Sequence, residues 1–277
     1  MADIKTILSE CGFGFKKQFG QNFITDKNLL QSIVALSGVE ECDTVVEIGC
    51  GAGTLTRALA EKAERVIGFE VDKTLQPVLA RTLAGLDNVE VIFRDFLKVN
   101  LTEFESETGG YKVVANLPYY ITTPLIMKIV EDAKKCKSLS VMVQEEVANR
   151  LCAQAGTADY GAITAMIAPS ADCAVIKRVP RTMFFPRPNV DSAVVKIDFK
   201  DKIEIDENYK KVVQAAFSSR RKTLENNLVN SFKLTREQAQ SAISQCGIDL
   251  KARGETLDYI QFARLAKVLK NCGNHYT

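Results

Sequence analysis

Residues 113–119 read VVANLPY, an apolar run that stops at a carboxamide, a proline and an aromatic ring. Pro118 has no N–H for a β-ladder, so the predicted strand ends there, and Leu117 before it is pushed toward extended geometry. The Asn116 side-chain oxygen and the Leu117 carbonyl then form two acceptors beside the ring of Tyr119. This set can hold a flat exocyclic amine while the ring stacks on its base. The alternative is a proline-terminated strand with ordinary aromatic packing.

A glycine-rich turn, EIGCGAG at 47–53, directly follows the first predicted strand. Gly49 and Gly51 let the backbone turn tightly and let a ligand approach it closely. The spacing is GxGxG rather than the GxGxxG of dinucleotide-binding folds, and Glu47 would repel a pyrophosphate. A cofactor with a cationic amine and no phosphate suits this turn, so we predict S-adenosylmethionine. The alternative is an ordinary glycine-rich turn between a strand and a helix.

Acidic residues stand at the ends of the next two predicted strands. Glu70 in GFEVD can bind ribose hydroxyls across the crevice outside the strand ends, and Asp72 is the rival for that role. Asp95 in FRDF can accept a hydrogen bond from the exocyclic amine of the cofactor's adenine. Each acid alone is also explained as a solvated strand end, but features at three successive strand ends favour one shared site.

Phe184 and Phe185 open the stretch FFPRPNVDS, whose two prolines hold an extended loop between the last two predicted strands. An enzyme that modifies a base has to take it out of its stack and support its faces. Of the two rings, Phe184 is predicted to sandwich a flipped base against Tyr119. Phe185 is the candidate for a core side chain.

Alternating strand and helix patterns must position these residues. Strands are predicted at 44–49, 65–71, 89–95, 112–117 and 138–144, with helices between them. This order predicts a parallel sheet covered on both faces, with the carboxyl ends of its strands at one edge. Two further strands, 173–179 and 192–199, are predicted as a hairpin-like pair at the sheet edge, one of them antiparallel.

Helical patterns frame this sheet. Asp26 is predicted to cap a helix that ends at Gly38, and Thr235 to Gln238 match a capping box. From about residue 203 the strand pattern disappears and only helices are predicted.

The composition is that of a globular protein, with 277 residues, 46% apolar content, 25% charged content and a net charge of +2. No apolar run has transmembrane length and no secretory leader is recognisable, so we expect a cytoplasmic protein without membrane contact. The eight cysteines contain no CxxC pair and the one histidine is His275, so we expect reduced thiols and no metal site. Clusters of basic residues, such as Arg220-Arg221-Lys222, are a better indicator of nucleic-acid binding than the net charge.

With these motifs in place, the chain resembles the ribosomal RNA adenine N6,N6-dimethyltransferase family nearly from end to end. The matching stretches are KKQFGQNFITD, EIGCGAGTLT, FEVD, RDF, NLPYYIT, VQEEVANRL, FFPRPNVDSAVV and AFSSRRKTLENNL. The resemblance implies cofactor contacts at Asn22, Ile24, Gly49, Gly51, Glu70, Asp95 and Asn116. It implies target-adenine contacts at Asn116, Leu117, Tyr119 and Phe184.

Three positions depart from the family pattern. Cys50 stands where proline is frequent, Glu145 where lysine is frequent, and Phe96 where a small residue is common. Phe96 would border the cofactor adenine and alter the shape of that pocket, and Glu145 weakens one RNA-facing charge. Neither residue touches the predicted catalytic group.

We therefore predict an α/β protein with a Rossmann-like class I methyltransferase domain over 1–200 and a small all-helical rRNA-recognition domain over 201–277. The expected reaction dimethylates the N6 amines of two adjacent adenines in a hairpin loop near the 3′ end of 16S rRNA. The expected substrate is a 30S subunit or its precursor, and the chain is expected to act as a monomer. Arg220, Arg221 and Lys222 are predicted to grip phosphates, the alternative being a solvated helix face packed on the main domain.

Three rival functions stay open at this point. A resistance-type methylase of 23S rRNA shares the glycine turn and the NLPY stretch. A ribosome-assembly factor would use the same surface as a checkpoint, with methylation secondary. A DNA adenine methylase also places an aromatic motif after its fourth strand.

Overall fold

The computed structural model describes residues 4–16, 20–200 and 206–273. Internal contacts divide the chain into two compact units, residues 1–148 with 173–199 and residues 149–172 with 200–277. The sequence predicted a single boundary at residue 200, whereas the two units are interleaved along the chain. Residues 149–172 join the helical unit because its side chains bond to them. The Tyr209 hydroxyl, for example, donates to the Ala165 carbonyl at 2.7 Å.

The first unit is built on a seven-stranded sheet in the order β4-β3-β2-β5-β6-β9-β7. Its strands, with the short pair β1 and β8, are β1 Phe23–Ile24, β2 Thr44–Ile48, β3 Arg65–Glu70, β4 Val89–Phe93, β5 Tyr111–Asn116, β6 Cys136–Gln144, β7 Ala171–Val179, β8 Phe184–Phe185 and β9 Ser192–Phe199. Neighbours from β4 to β6 are parallel, and β9 runs antiparallel to β6. The predicted parallel sheet with an antiparallel strand near one edge is confirmed.

The helices of the described residues are α1 Ile4–Glu10, α2 Lys27–Leu36, α3 Thr54–Ala60, α4 Gln76–Thr82, α5 Leu101–Thr108, α6 Thr122–Asp132, α7 Glu145–Leu151, α8 Ala162–Ile167, α9 Glu207–Ala216, α10 Leu224–Phe232, α11 Arg236–Gln245 and α12 Tyr259–Gly273. The Asp26 carboxylate caps α2 by accepting from the Leu29 N–H at 2.7 Å, as predicted. Thr235 and Gln238 form the predicted capping box at the start of α11. None of the helices in the described ranges is long and apolar enough to cross a membrane.

Central strand β5 explains why its apolar run ends so abruptly at a polar residue. Val113, Val114 and Ala115 are at most 2% exposed, because β5 lies between β2 and β6 with both faces covered. The strand ends at Asn116, which is opposite Met142 of β6. A buried strand thus delivers a carboxamide to the carboxyl edge of the sheet.

A two-stranded ribbon, which the sequence did not predict, joins the N-terminal segment to the FFPRP loop. β1 pairs antiparallel with β8, placing Phe23 opposite Phe185 and Ile24 opposite Phe184. The two strands are only two residues long each, so they carry no alternation that a sequence pattern can detect.

Candidate active site

Four strand ends of the first unit converge on one cavity of about 360 Å³. Strands β2, β3 and β5 end beside it, and Asp95 follows the end of β4 by two residues. Every residue predicted to bind the cofactor lines this cavity: Asn22, Ile24, Gly49, Gly51, Glu70, Asp95 and Asn116. Small-molecule sites typically measure about 300–1,000 Å³. The structure therefore brings the predicted cofactor residues together, while the role of each stays a prediction.

The glycine turn after β2 needs its glycines for two separate reasons. Gly49 and Gly51 have φ angles of +79° and +55°, a region that side-chain-bearing residues rarely adopt. A Cβ atom on Gly51 would also lie 2.8 Å from Cε1 of Phe23. The turn thus forms a smooth wall of the cavity, held against the ring of Phe23.

Glu70 is fixed at the end of β3 by backbone donors. Its Oε2 accepts from the Gly51 N–H at 2.8 Å, and its Oε1 accepts from the N–H groups of Val71 and Asp72 at 2.8 Å each. Burial raises the pKa of this carboxyl, although these hydrogen bonds oppose the rise. Asp72, the rival for the ribose role, does not line the cavity. Of the two rival acids, Glu70 is therefore the one that faces the cavity.

Glu47 is a lining residue that the predicted contact set left out. The side chain is 1% exposed, and its Oε2 has no hydrogen-bond partner among the described residues. Burial, reinforced by the Glu70 carboxylate, raises the pKa of Glu47 well above its ordinary value. Its position just before the glycine turn was the one available clue in the sequence. A buried carboxyl with one oxygen left over suits a ligand with a cationic group.

Asp95 and Phe96 form the wall beyond β4. The Asp95 Oδ1 accepts from the Leu97 N–H at 3.0 Å and so caps a short 3-10 turn. Phe96 is 2% exposed and packs edge-on against Phe69, with ring centroids 5.0 Å apart. The departure at Phe96 is therefore accommodated by a row of rings, and Phe96 does line the cavity as expected.

Among the described residues, the Asn116 amide is anchored through its nitrogen side. Its Nδ2 donates to the Asn22 carbonyl at 2.9 Å, which fixes the plane of the amide. With the nitrogen side engaged, the oxygen side remains as the acceptor at the end of β5. This orientation meets the requirement for holding an amine at this strand end.

Leu117 and Tyr119 complete the strand end. Leu117 is 3% exposed, and both residues line the cavity. The Tyr119 hydroxyl lies 2.9 Å from Oγ of Ser192 at the start of β9. Burial raises the pKa of Tyr119 despite this bond, so the phenol stays neutral. The Ser192 contact connects the NLPY stretch to the end of the FFPRPNVDS stretch.

The two phenylalanines of the FFPRP loop differ from the prediction in which of them is the core ring. Phe184 is 5% exposed, belongs to the core cluster that contains Ile24, and is not among the residues lining the cavity. Phe185 is half-buried and lies under the Lys5 ammonium, 4.8 Å from the ring centroid. The prediction of Phe185 as the core ring is wrong, because adjacent strand residues face opposite ways and pairing with β1 turns Phe184 inward. Stacking of Phe184 on a flipped base stays a prediction that requires its ring to become accessible.

The other two departures, Glu145 and Cys50, lie in different environments. Glu145 pairs with Arg178, so its charge is neutralised locally. Cys50 is 4% exposed, and burial, followed by the Glu47 and Glu70 charges, raises the pKa of its thiol well above the ordinary value. Within the described ranges, no group of three His, Cys, Asp or Glu side chains is arranged to hold a metal ion.

The three predicted RNA-binding residues occupy the turn between α9 and α10 in the second unit, and they are not equivalent. The Arg220 guanidinium donates to the carbonyls of Ala158 and Tyr160 at 3.3 and 2.8 Å. Arg221 and Lys222 are exposed. The contacts of Arg220 brace its own unit, whereas Arg221 and Lys222 are available to a polyanion.

A Rossmann-like sheet with a glycine turn, strand-end acids and an Asn-Leu-Pro-Tyr strand end defines a class I methyltransferase site for an amine. The chain belongs to the ribosomal RNA adenine dimethylase family, whose profile matches residues 12–271. It is accordingly an S-adenosylmethionine-dependent enzyme that methylates adenine in ribosomal RNA.

Curated relatives match over nearly their whole length. The chain is 45% identical to "Ribosomal RNA small subunit methyltransferase A" of Geobacillus thermodenitrificans, over 96% of this chain and 94% of that protein. It is 44% identical to the protein of the same name from Streptococcus pneumoniae, over 97% of each chain.

Solved structures agree on the fold. A dimethyladenosine transferase from Plasmodium falciparum matches with a TM-score of 0.77 and 25% identity, covering 91% of this chain and 98% of that one. The 23S rRNA methyltransferase ErmE matches with a TM-score of 0.68 and 26% identity, covering 90% of this chain and 99% of that one.

Proposed function

We propose that the chain dimethylates the N6 amines of two adjacent adenines in a hairpin loop near the 3′ end of 16S rRNA, during maturation of the small subunit. The observation that carries this proposal is the Asn116 amide, anchored through its nitrogen at the end of β5 with its oxygen side left to accept. The names of the relatives at 44–45% identity support the small subunit as the substrate. We infer further that the substrate is a 30S particle or its precursor, that the enzyme acts as a monomer, and that it works in the cytoplasm.

The cavity residues fit S-adenosylmethionine. Gly51 lines the cavity with its bare backbone, while the Phe23 ring fills the space that a side chain on Gly51 would occupy. The buried Glu47 carboxyl, with one oxygen lacking a partner, complements a cationic amine. Glu70 and Asp95 would hold the ribose and the adenine amine, with Asn22 and Ile24 at the border. When bound, the cofactor supplies a methyl group activated by its positive sulfur.

The NLPY stretch would hold the target amine without a strong base. The lone pair of an exocyclic adenine amine is delocalised into the ring, so the nitrogen is a poor nucleophile. The Asn116 Oδ1 and the Leu117 carbonyl would accept the two amine hydrogens and favour a tetrahedral nitrogen. Positioning then supplies most of the rate enhancement. Each transfer would break the bond between the sulfur and its methyl group and form a bond from that methyl to the nitrogen, which would then release one proton to solvent. After the first transfer the nitrogen keeps one hydrogen, so one of these two acceptors loses its partner in the second round.

Tyr119 would stack on the extruded adenine. Its hydroxyl is bonded to the Ser192 hydroxyl, so the protein itself holds the ring in place. Stacking of one base on an aromatic ring is worth about 1–3 kcal/mol. A hairpin loop suits this mode of recognition, since its bases leave the stack at low cost.

The second unit would contribute phosphate contacts. Arg221 and Lys222 are the better candidates for these contacts, because Arg220 already donates to two carbonyls of its own unit. The assignment of residues 201–277 to rRNA recognition is part of this proposal.

The other candidate substrate is 23S rRNA, because the fold also matches ErmE. A methyl-transfer assay decides between them. Labelled S-adenosylmethionine is supplied with unmethylated 30S subunits, 23S rRNA or duplex DNA in parallel, and primer extension maps the product. Label at two adjacent adenines near the 16S 3′ end is the expected result. Label on 23S rRNA or on duplex DNA would show that the proposed substrate is wrong. Tight binding to 30S subunits without label on any substrate would favour a ribosome-assembly factor.

A further inference from the structure

The segment Gly20–Asn22 connects two parts of the active site that are distant in sequence. All three of its residues line the cavity. The Asn22 carbonyl accepts from Nδ2 of Asn116 at 2.9 Å, and the neighbouring Gln21 Nε2 donates to Oδ2 of Asp72 at 3.0 Å. The catalytic amide is therefore positioned by a segment whose other attachment is at the end of β3.

Asp72 accepts hydrogen bonds from several donors although it does not line the cavity. It is 2% exposed, and its Oδ1 accepts from the Lys16 ammonium at 2.7 Å. The same oxygen accepts from the Thr74 N–H at 3.1 Å and from the Thr74 hydroxyl at 2.6 Å. The Lys16 N–H donates to Oε1 of Gln21 at 3.1 Å, so Lys16, Gln21 and Asp72 form a closed triangle. We call these three residues the clasp.

The clasp carries a buried charge that needs all of its partners. Burial disfavours the Asp72 carboxylate, but the bonds from Lys16, Thr74 and Gln21 outweigh this effect and lower its pKa. Removing one partner of a buried charge is destabilising, because the charge is then less well compensated. Loss of the Lys16 contact therefore weakens the hold on the segment that carries Gln21 and Asn22. The Asp72 N–H also donates to the Glu70 carboxylate. This bond connects the clasp to the end of β3, which is predicted to bind the cofactor.

We propose that the clasp of Lys16, Gln21 and Asp72 positions Asn116 for methyl transfer by fixing the Asn22 carbonyl that orients the Asn116 amide. Asp72 and Lys16 are thus positioning residues, and neither is among the residues that line the cavity. The inference rests on the proposed function, since it assigns a cause for the orientation of the residue that holds the amine. A misplacement of about 1 Å near reacting atoms costs on the order of 100-fold in rate, so a loosened amide has a measurable effect.

The test uses the full chain with Lys16→Met and Asp72→Asn, and with Lys16→Arg as the conservative variant. We expect Lys16→Met and Asp72→Asn each to lower kcat on 30S subunits by about tenfold, with KM for the 30S subunit and for S-adenosylmethionine within about twofold. The double variant should lose no more than the worse single variant, because both changes open one clasp. Lys16→Arg should retain most of the activity.

The matched control is Glu10→Gln, which removes an ion pair of the same 2.7 Å length between Glu10 and Arg81. That pair is exposed on both sides and has no bond to Gly20–Asn22, so kcat should stay unchanged. Thermal melts establish that each variant is folded at the assay temperature.

A second readout does not depend on catalysis. Solvent exchange of the Asn116 side-chain amide protons, followed by NMR on protein with labelled asparagine, should speed up at least threefold in Lys16→Met and not in Glu10→Gln. Unchanged kcat with a lowered melting temperature would make the clasp purely structural and overturn the proposal. A raised KM for S-adenosylmethionine at constant kcat would overturn it in favour of a cofactor role. A wild-type protein that labels no substrate, with exchange still accelerated in Lys16→Met, would reject the proposed reaction and leave the positioning itself intact.

Discussion

Replacing Asn116 with alanine removes an acceptor from the place where the target amine has to lie. The 2.9 Å bond from its Nδ2 to the Asn22 carbonyl fixes the orientation of the amide from within the protein. Removing one such preorganised group typically lowers kcat by about 100- to 1,000-fold, or about 2.7–4 kcal/mol of barrier. We expect Asn116→Ala to lose kcat in that range while the protein stays folded.

Asn116→Asp keeps an oxygen that can accept a hydrogen bond but removes the N–H that donates to the Asn22 carbonyl. The carboxylate still accepts a hydrogen bond, but its second oxygen faces the Asn22 carbonyl at the present 2.9 Å contact, and two acceptors repel. We expect a smaller loss of kcat than in the alanine variant, about tenfold. The lost anchor should also reduce the free energy of unfolding by about 0.5–1.5 kcal/mol.

Single-turnover transfer of labelled methyl to 30S subunits, at saturating S-adenosylmethionine, measures the chemical step. Asn149→Ala is the matched control, because Asn149 is an exposed asparagine on α7. It should behave as wild type. If Asn116→Ala kept more than a tenth of the wild-type rate, the amide would not be the group that holds the amine.

Further predictions concern the cofactor site and the second unit. Burial raises the pKa of Glu47 above its ordinary 4.5, so the free energy of unfolding should fall as pH rises from that value toward the folded pKa. Thermal melts of Glu47→Gln should lack this slope, and calorimetry should show weaker binding of S-adenosylmethionine. Gly51→Ala combines a φ of +55° with a Cβ 2.8 Å from Phe23, so it should lose about 1–2 kcal/mol of stability, and calorimetry should show a large loss of cofactor affinity. Gly85→Ala is the control, because Gly85 has a φ of +81° but no atom within 4 Å of an added Cβ. It should lose stability through backbone strain alone and leave cofactor affinity unchanged. Arg221→Ala should weaken 30S binding and reduce its salt slope by about 1, whereas Arg220→Ala should lower the melting temperature with the slope unchanged.

The sequence predicted the positions of the site residues well because parallel strands share one carboxyl edge. Once the alternation of strands and helices is recognised, Gly49, Glu70, Asp95 and Asn116 have to meet there, whatever the details of packing. The capping residues Asp26 and Thr235 were equally predictable, since a cap acts on its own first turn.

The features that the sequence did not reveal all depend on contacts between distant segments. Phe184 turns into the core because β8 pairs with β1, and Arg220 is engaged by carbonyls 62 and 60 residues away. The choice between Glu70 and Asp72 was also decided by tertiary structure, since Lys16 and Gln21 cover one acid and leave the other facing the cavity.

Local patterns therefore determined the class of fold, the strand-end residues and the family of this protein, because backbone geometry and hydrophobic periodicity act within a few residues. Tertiary structure alone decided which way each side chain faces and which partner holds it. The Asn116 amide illustrates the difference, since its type is evident in NLPY, whereas its orientation comes from a carbonyl 94 residues earlier in the chain.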